Sequence, residues 1–324
     1  MTTVFLTGAT GFVGSHVARL LVHEGCEVHA LVRPDSNLTR IADVQPHLNM
    51  LCGDILHSEA LTQSLRLIKP DIFIHLAWYA KPGEYLQASA NIDLMAATIK
   101  LALLLADVGC RRFVGVGTCF EYDTDAGYLR ERTPLRPTFL YSAAKAGTFM
   151  ALSNLSISGM TVAWARLFYL YGPFEHERRL VPSVIQALLR GEEARCTSGE
   201  QVRDFLHVED VASALWAVAQ SSIVGAVNVG SGSPVTVARL VNLIGEIAGR
   251  PDLVRLGTLA QAKGDPRFVC ADNQRIQIES SWRPKLDLRD GLQNTIDWWR
   301  SHIRLSSDPA AHAKTEKVPR EDLD

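Results

Sequence analysis

The stretch Thr7-Gly8-Ala9-Thr10-Gly11-Phe12-Val13-Gly14 decides the fold of this chain. It follows a short apolar run, Val4–Thr7, and opens a segment in which apolar residues recur with helical periodicity. Gly8 permits a tight turn, Gly11 lets the backbone approach a pyrophosphate, and Gly14 lets the helix pack closely on the strand. Phosphates then lie on the unpaired amides of a helix N-terminus, where negative charge is favoured. The pattern predicts the strand–turn–helix of a dinucleotide-binding domain, with Gly8, Thr10, Gly11, Phe12, Val13 and Gly14 as cofactor-binding residues.

Short apolar runs alternate with helical segments through the first half of the chain. The strands are predicted at Val4–Thr7, Glu27–Val32, Leu48–Cys52, Asp71–Leu76, Phe113–Gly117 and Val162–Phe168. Apolar strands that alternate with helices indicate a parallel sheet covered on both faces, and right-handed crossovers make it doubly wound. The predicted fold class is α/β, a doubly wound parallel Rossmann sheet with a smaller C-terminal α/β substrate-binding domain.

Glycine and proline interrupt the pattern after about residue 168, and the last stretch is polar and charged. We therefore expect an NAD(P)-binding Rossmann domain over residues 1–168, with returning segments near 204–232. A substrate-binding domain is expected over 169–304 and a polar tail over 305–324.

The composition narrows the classes of function. Hydrophobic residues make up 47% of the 324 residues and charged residues 21%, and the net charge is −2. Such a balance gives no reason to expect nucleic acid or an anionic membrane as partner. The six cysteines are scattered without a CxxC pair, so neither a disulfide framework nor a metal site is expected. A cytoplasmic protein is predicted, because no basic segment followed by an apolar one precedes the first strand.

The end of the second strand bears on the choice of cofactor. A site that prefers NAD usually carries a carboxylate there, but this chain has Val32 followed by Arg33. A guanidinium can bind a 2′-phosphate bidentately, so NADP(H) is favoured. If Arg33 is instead an ordinary surface arginine, NAD is equally compatible. Asp54, after the third strand, is a candidate partner for the adenine amino group, or only a residue that caps a helical turn.

Tyr141 and Lys145 are candidate catalytic residues because the spacing i, i+4 places both on one face of a helix. A nearby ammonium is expected to lower the pKa of the phenol, which would let Tyr141 exchange a proton with a sugar oxygen. Thr118 ends the fifth strand, where ligands gather, and its hydroxyl could hold the same oxygen.

With these residues in place, the chain resembles the extended short-chain dehydrogenase/reductases, in the branch of NAD(P)-dependent nucleotide-sugar epimerases, dehydratases and ketoreductases. The resemblance runs from Met1 to about Arg300. The matching motifs are TGATGFVG (7–14), GDI (53–55), HLA (75–77), GTCFEY (117–122), YSAAK (141–145), RLFYLYGP (166–173), RDFLHVEDVA (203–212) and NVGSG (228–232).

The resemblance implies site residues. It implies a catalytic triad of Thr118, Tyr141 and Lys145, and a nucleotide-diphosphate sugar as substrate. Further residues implied to bind the cofactor are Ile55, Leu76, Ala77, Leu167, Tyr141 and Lys145. Those implied to bind the substrate are Thr118, Tyr169, Arg179 and Arg203.

Three of these substrate assignments have alternatives. Arg203 could pair with Asp204 or Asp210, and Arg179 lies in a charged segment that could be a solvated loop. Tyr169 stands where the family has an asparagine, which puts that contact in doubt.

The strongest departure from the family concerns the reaction. In the 4,6-dehydratases of this family an Asp-Glu pair follows the strand-end hydroxyl and moves protons at C5 and C6 of the sugar. Here Cys119 and Phe120 follow Thr118, so elimination of water lacks its acid and its base. A dehydratase is not expected.

The helix predicted over Asp93–Val108 is apolar on nearly all sides, so it should be buried on nearly all sides. The sheet supplies one cover. We expect a second subunit to supply the other, since family dimers pair this helix and the Tyr141 helix in a four-helix interface. Burial under a loop of the same chain is the alternative.

The function favoured by the sequence is NADPH-dependent reduction of a 4-keto sugar nucleotide, with Tyr141 as proton donor. An NAD-dependent nucleotide-sugar 4-epimerase is the first alternative, because neither reaction needs further acid–base residues. A non-catalytic dinucleotide-sensing protein is the second alternative, since fold does not determine function.

Overall fold

The structure is a computed structural model that describes residues 1–155, 159–261 and 264–306. Along the chain the strands are β1 Thr3–Thr7, β2 Glu27–Val32, β3 Asn49–Cys52, β4 Ile72–His75, β5 Arg112–Thr118, β6 Tyr128–Leu129, β7 Thr161–Leu167, β8 Tyr169–Tyr171, β9 Ala194–Arg195, β10 Val202–His207, β11 Gly225–Val229, β12 Pro234–Thr236, β13 Val254–Arg255 and β14 Phe268–Ala271. The α-helices are α1 Phe12–His23, α2 Thr62–Ile68, α3 Ala90–Asp107, α4 Leu140–Asn154, α5 Leu180–Arg190, α6 Val208–Gln220, α7 Val237–Ala248, α8 Gln274–Ser280 and α9 Leu288–Ser306.

Seven parallel strands form the large sheet, in the order β11-β7-β5-β4-β1-β2-β3. The direction of winding reverses between β1 and β4, which pair Thr7 with His75 at their carboxyl ends. In such sheets ligands bind in the crevice beyond this reversal. The predicted doubly wound parallel Rossmann sheet is confirmed.

Helices cover both faces of the large sheet. In β1, Leu6 packs in the cluster that contains residues of α1 and α6, and its neighbour Phe5 packs in the cluster with α3 and α4. This alternation follows from the two-residue period of a strand. Both side chains are 0% exposed, and burial of each contributes about 1.5–3 kcal/mol.

A second, smaller sheet has the order β12-β10-β14-β6, and β8 pairs with β10. Only Phe168 separates β7 in the large sheet from β8 in the small one. Sheet membership crosses the boundary expected at residue 168, because β6 pairs with β14. Within the expected returning segment 204–232, β11 joins the large sheet but β10 belongs to the small one. The predicted tail begins inside α9, and residues 307–324 lie outside the described residues.

α3 is buried on one side only. Leu101 and Leu105 are 0% exposed against the sheet, whereas Ile92 is 59% and Leu103 44% exposed. In the single chain the sheet is the one cover, so burial on the other side, expected from a second subunit, stays a prediction. Because no segment among the described residues covers these side chains, burial under a loop of the same chain does not occur there.

Candidate active site

The glycine loop joins β1 to α1 as expected, and its glycines are required by close approaches. Gly8 has a φ of +77°, and a Cβ there would lie 2.7 Å from the nitrogen of Ala77. A Cβ on Gly14 would lie 1.9 Å from the carbonyl oxygen of Gly8. Gly11 caps α1 without any side-chain hydrogen bond, so the helix presents its amides to the crevice. This arrangement fits the pyrophosphate of a dinucleotide.

A cleft of about 340 Å³ opens beside the loop, at the reversal between β1 and β4. Predicted cofactor-binding residues that line it are Gly8, Thr10, Gly11, Arg33, Asp54, Ile55, Leu76 and Ala77. Phe12, Val13 and Gly14 form the first residues of α1. Leu167 ends β7, where it pairs with Thr118 of β5. The cleft therefore brings together residues that directly follow the first four strands of the sequence.

At the end of the cleft beside β2 and β3, the structure bears on both alternatives for Asp54 and Arg33. Asp54 accepts a hydrogen bond from Leu56 N at 3.0 Å, so it caps the short helical turn that follows, while it also lines the cleft. The Arg33 side chain is 61% exposed, and its Nε lies 3.5 Å from Asp35 Oδ1. The backbone amide of Arg33 donates to Ser36 Oγ at 3.1 Å. Arg33 is thus a largely exposed cation that lines the cleft.

Tyr141 and Lys145 both lie on α4, in the first turn and one turn later. Lys145 is 2% exposed, and its Nζ donates to the carbonyl oxygen of Val116 at 2.7 Å, two residues before Thr118. Nζ lies 6.0 Å from the centre of the Tyr141 ring. The Thr118 hydroxyl accepts from Phe120 N at 3.3 Å. The structure therefore places all three predicted catalytic residues around the carboxyl end of β5.

Burial shifts the pKa values of Lys145 and Tyr141. It lowers the pKa of Lys145 to about 7, although the carboxylate of Glu121 offsets part of the effect. Burial also raises the pKa of Tyr141 above its ordinary value, with Tyr85, Glu121 and Cys119 adding to the shift. The direction is opposite to the expected acidification by Lys145, because desolvation of the phenolate dominates and only Arg179 opposes the shift. Tyr141 keeps its proton at neutral pH.

Sequence reasoning missed the buried ion pair beneath the site. Glu121 accepts from Arg166 Nε at 2.7 Å, from Trp164 Nε1 at 3.0 Å and from Thr118 N at 2.9 Å. Both charged side chains are at most 2% exposed. Glu121 accepts a hydrogen bond from the backbone amide of Thr118, the last residue of β5. The ion pair with Arg166 therefore helps to fix the backbone at the end of β5. The Glu in the GTCFEY motif was the available signal.

Two aromatic residues near α4 were also missed. The indole of Trp78 lies 3.8 Å from Lys145 Nζ, and Trp78 lines the cleft. Tyr85 packs edge-to-face on Tyr141 with ring centres 4.9 Å apart. Both residues follow the HLA motif, in a loop whose sequence has no periodicity.

The predicted substrate-binding residues gather on the other side of the crevice. Arg203 is 3% exposed, ion-pairs with Asp265, and its Cζ lies 5.2 Å from the centre of the Tyr169 ring. Its partner is therefore neither Asp204 nor Asp210, the two alternatives open to sequence reasoning. Arg179 is half-buried, with its Cζ 5.3 Å from the centre of the Tyr85 ring, while its neighbours Glu177 and Arg178 in the same loop are exposed, so its role in substrate binding stays a prediction.

The loop after β8 ties the small sheet to the phosphate loop. His16 Nε2 of α1 lies 3.0 Å from Pro173 O, and burial lowers the pKa of this histidine to about 4. Arg40 donates to Phe174 O at 3.1 Å and to Thr10 O at 3.5 Å. The loop that follows β8 of the small sheet is therefore linked to α1 and, through Arg40, to the glycine loop that would hold a pyrophosphate.

The part of the chain that the structure describes contains neither a membrane-spanning helix nor a cluster of metal ligands. No helix there has the length and the apolar character that crossing a membrane requires. No three or more His, Cys, Asp or Glu side chains there come together as metal ligands.

Comparisons with known proteins agree with this geometry. A family model described as the NAD dependent epimerase/dehydratase family matches residues 4–230. The chain is 32% identical to a dTDP-glucose 4,6-dehydratase of Streptomyces griseus, over 93% of this chain and 95% of the relative. It is 27% identical to a dTDP-4-dehydro-6-deoxy-D-allose reductase of a Streptomyces species, over 93% and 97% of the two chains. Among solved structures, MoeE5 in complex with UDP-glucose and NAD superposes with a TM-score of 0.76 at 30% identity, over 93% and 99% of the chains.

Proposed function

Because this chain belongs to the NAD dependent epimerase/dehydratase family, an extended short-chain dehydrogenase/reductase family, we propose that it uses NADPH to reduce a 4-keto sugar nucleotide, with Tyr141 as proton donor. Its relatives by name include both dehydratases and a reductase. The choice between these reactions depends on the residues at the end of β5.

The turn after Thr118 carries this choice. Cys119 is 2% exposed, and burial raises the pKa of its thiol to about 12. Phe120 packs with its ring 6.1 Å from Phe139 and 6.2 Å from Tyr169. A thiol that stays protonated and a phenyl ring cannot remove a proton at C5 or assist loss of water at C6. This observation favours reduction over dehydration, despite the 32% identity with a dehydratase.

The remaining residues suit addition of a hydride and a proton to a carbonyl group. NADPH, when bound, supplies the hydride to the carbonyl carbon. Tyr141 holds its proton at neutral pH and would donate it to the carbonyl oxygen as that oxygen gains charge. Thr118 would keep its proton and donate a hydrogen bond to the same oxygen, since its own hydroxyl oxygen already accepts from Phe120 N. Lys145 contributes positive charge close to the phenol.

The diphosphate of the substrate needs cations, and the chain as a whole has a net charge of −2. Arg203 and Arg179 are the candidates, the first over the ring of Tyr169 and the second over the ring of Tyr85. Arg203 would bind phosphate oxygens in competition with Asp265. A thermal-shift screen of nucleoside diphosphates would show which base raises the melting temperature.

For the proton donor we expect Tyr141→Phe to lose at least about a hundredfold in kcat, the contribution typical of a general acid. The phenyl ring preserves the packing on Tyr85, so the dissociation constant of NADPH should change little. The assay follows NADPH oxidation with a 4-keto sugar nucleotide generated in place by a 4,6-dehydratase. Turnover of Tyr141→Phe at the wild-type rate would contradict the role assigned to the phenol.

The 4-epimerase is the second candidate, and one observation favours it. Arg33 is 61% exposed and near Asp35, so its guanidinium is not reserved for a 2′-phosphate. The two reactions differ in how the cofactor is held. Protein denatured after purification should release little nucleotide if it is a reductase, whereas NAD released in a one-to-one ratio would identify an epimerase. A dinucleotide sensor would bind NADPH and turn over neither substrate.

The assembly and the location of the protein are also proposals. The apolar face of α3 supports a homodimer built from α3 and α4 of two subunits. We retain the cytoplasm as the predicted location.

A further inference from the structure

The ammonium of Lys145 has an aromatic partner that the proposed reaction does not explain. Nζ lies 3.8 Å from the centre of the Trp78 indole, compared with 5.9 Å for Trp164 and 6.0 Å for Tyr141. The indole face therefore covers the cation at the distance of a direct cation–π contact. Trp78 is also one of the residues that line the dinucleotide cleft.

The Trp78 ring is held in this position by a saturated hydrogen-bond network. Its Nε1 donates to Asn91 Oδ1 at 2.8 Å. Asn91 is 0% exposed, and its Nδ2 donates to the carbonyl oxygens of Tyr85 at 2.7 Å and Ala88 at 2.8 Å. The amide has no hydrogen left for another partner, so the Asn91 rotamer is fixed and the acceptor of the indole N–H stays in place.

Lys145 needs such a partner because it is 2% exposed and buried cations require compensation. Its hydrogen bond to Val116 O accounts for one of three ammonium protons. Three titratable groups face it. Glu121, from the turn after β5, is committed to Arg166 and Trp164. Tyr141, on the same helix, keeps its proton. His75 of β4 is neutral, because burial lowers its pKa to about 3.

We propose that Trp78 is a positioning residue for Lys145: the indole, anchored by Asn91, holds the ammonium between the carboxyl end of β5 and the dinucleotide cleft. The inference rests on the proposed function, in which Lys145 belongs to the catalytic group. A desolvated cation–π contact raises the equilibrium ratio of charged to neutral lysine by about tenfold or more. Without the ring, the ammonium loses both its position and part of its proton affinity.

The test compares Trp78→Leu with Trp78→Phe in the full-length protein. Both variants lose the hydrogen bond to Asn91, and only Phe keeps a ring face. We expect kcat of Trp78→Leu to be about tenfold below that of Trp78→Phe. Melting temperatures and KM for the sugar nucleotide should be alike in the two variants. The basic limb of the pH profile should also lie at lower pH in Trp78→Leu, because an ammonium without the ring loses its proton more easily.

A second measurement needs no folded leucine variant. Biosynthetic replacement of tryptophan by fluorotryptophans weakens the negative face of the indole and keeps its shape. The wild-type protein should lose kcat in steps as fluorines are added, and Trp78→Phe, treated in the same way, should lose none.

Equal kcat and equal pH profiles for the Leu and Phe variants, or no effect of fluorination, would overturn the role of Trp78. Tyr141→Phe is measured beside them. If it is inactive while the Trp78 variants agree, only this inference fails; if it is fully active, the proposed function fails.

Discussion

Lys145 is a cation in an almost water-free position, and that sets its chemistry. An exposed lysine stays charged well above neutrality. Here burial lowers the pKa to about 7, and the attraction of Glu121 only partly opposes that shift. A residue that an exposed site would hold permanently charged therefore titrates close to neutral pH.

This titration predicts a pH dependence. Lys145 is charged below about pH 7 and loses its charge as the pH rises through that value. Because kcat/KM reports groups of the free enzyme, kcat/KM for the dinucleotide should fall above about pH 7. The control is Lys145→Arg, whose guanidinium stays charged; it should be slower but lack this basic limb. An unchanged limb in Lys145→Arg would assign the titration to another group.

At the scale of residues, the sequence predicts what is local. Tyr141 and Lys145 are readable because four positions on a helix are one turn. The contact of Trp78 with Lys145 is not, because it joins a loop after β4 to α4. Likewise, Arg203 and its partner Asp265 are separated by 62 positions, and no local pattern pairs them. The raised pKa of Tyr141 was missed because burial, unlike spacing, is a property of the folded chain.

Among the elements, the turn from β1 into α1 combines two different demands on glycine. A side chain on Gly14 would overlap the backbone of Gly8, so Gly14 serves the packing of helix on strand. A Cβ on Gly11 would be 3.2 Å from the Gly8 oxygen, a tight but far smaller conflict. Gly11 lines the cleft, so its smallness serves the approach of a ligand.

The two glycines should therefore respond differently to alanine. Gly14→Ala should lower the free energy of unfolding by about 1–3 kcal/mol, as overpacking does, and weaken dinucleotide binding as well. Gly11→Ala should retain most of the stability and lose affinity for NADPH at least about tenfold. Denaturant unfolding and fluorescence titration with NADPH measure the two effects. Equal losses of stability would show that both glycines serve packing.

The strands of the large sheet could be predicted because each is a continuous apolar run between helices. The small sheet could not be read in the same way. β6 of the small sheet has two residues, as do β9 and β13, which pair with each other in a separate two-stranded sheet. Two residues are too few to show a period of two. Their places are determined by pairing with distant strands, as β6 pairs with β14. For that reason the expected boundary at residue 168 does not separate the two sheets.

On the scale of the whole molecule, α3 presents an uncovered apolar stripe. Ile92, Ala96, Ile99 and Leu103 follow one another at intervals of four, three and four residues, so they share one face of the helix. Ile92 and Leu103 are 59% and 44% exposed. Met150 of the neighbouring α4 is 56% exposed. A two-fold axis can bury an exposed apolar face of this kind against the same face of a second copy.

We expect the wild-type protein to sediment as a dimer and the double variant Ile92→Glu, Leu103→Glu to sediment as a monomer. Two carboxylates on the stripe would be buried without partners in the dimer, and in the monomer they stay in water. Ile278→Glu is the matched control, since Ile278 is 78% exposed on α8 and should leave the dimer intact. A wild-type monomer, or a double variant that remains dimeric, would place the interface elsewhere.

The single residue Phe168 between β7 and β8 has a consequence for how the protein takes up its substrate. A linker of one residue, itself 7% exposed, leaves no spare chain length for the small sheet to move away from the large sheet at this point. The His16–Pro173 and Arg40–Phe174 hydrogen bonds also tie the loop after β8 to α1 and to the segment between β2 and β3. We therefore expect entry to the crevice to depend on motion of side chains and loops more than on movement of one sheet relative to the other. The choice among sugars should accordingly depend on the shape of the crevice opening. We expect substitutions at Tyr85 and Arg179 to alter that choice.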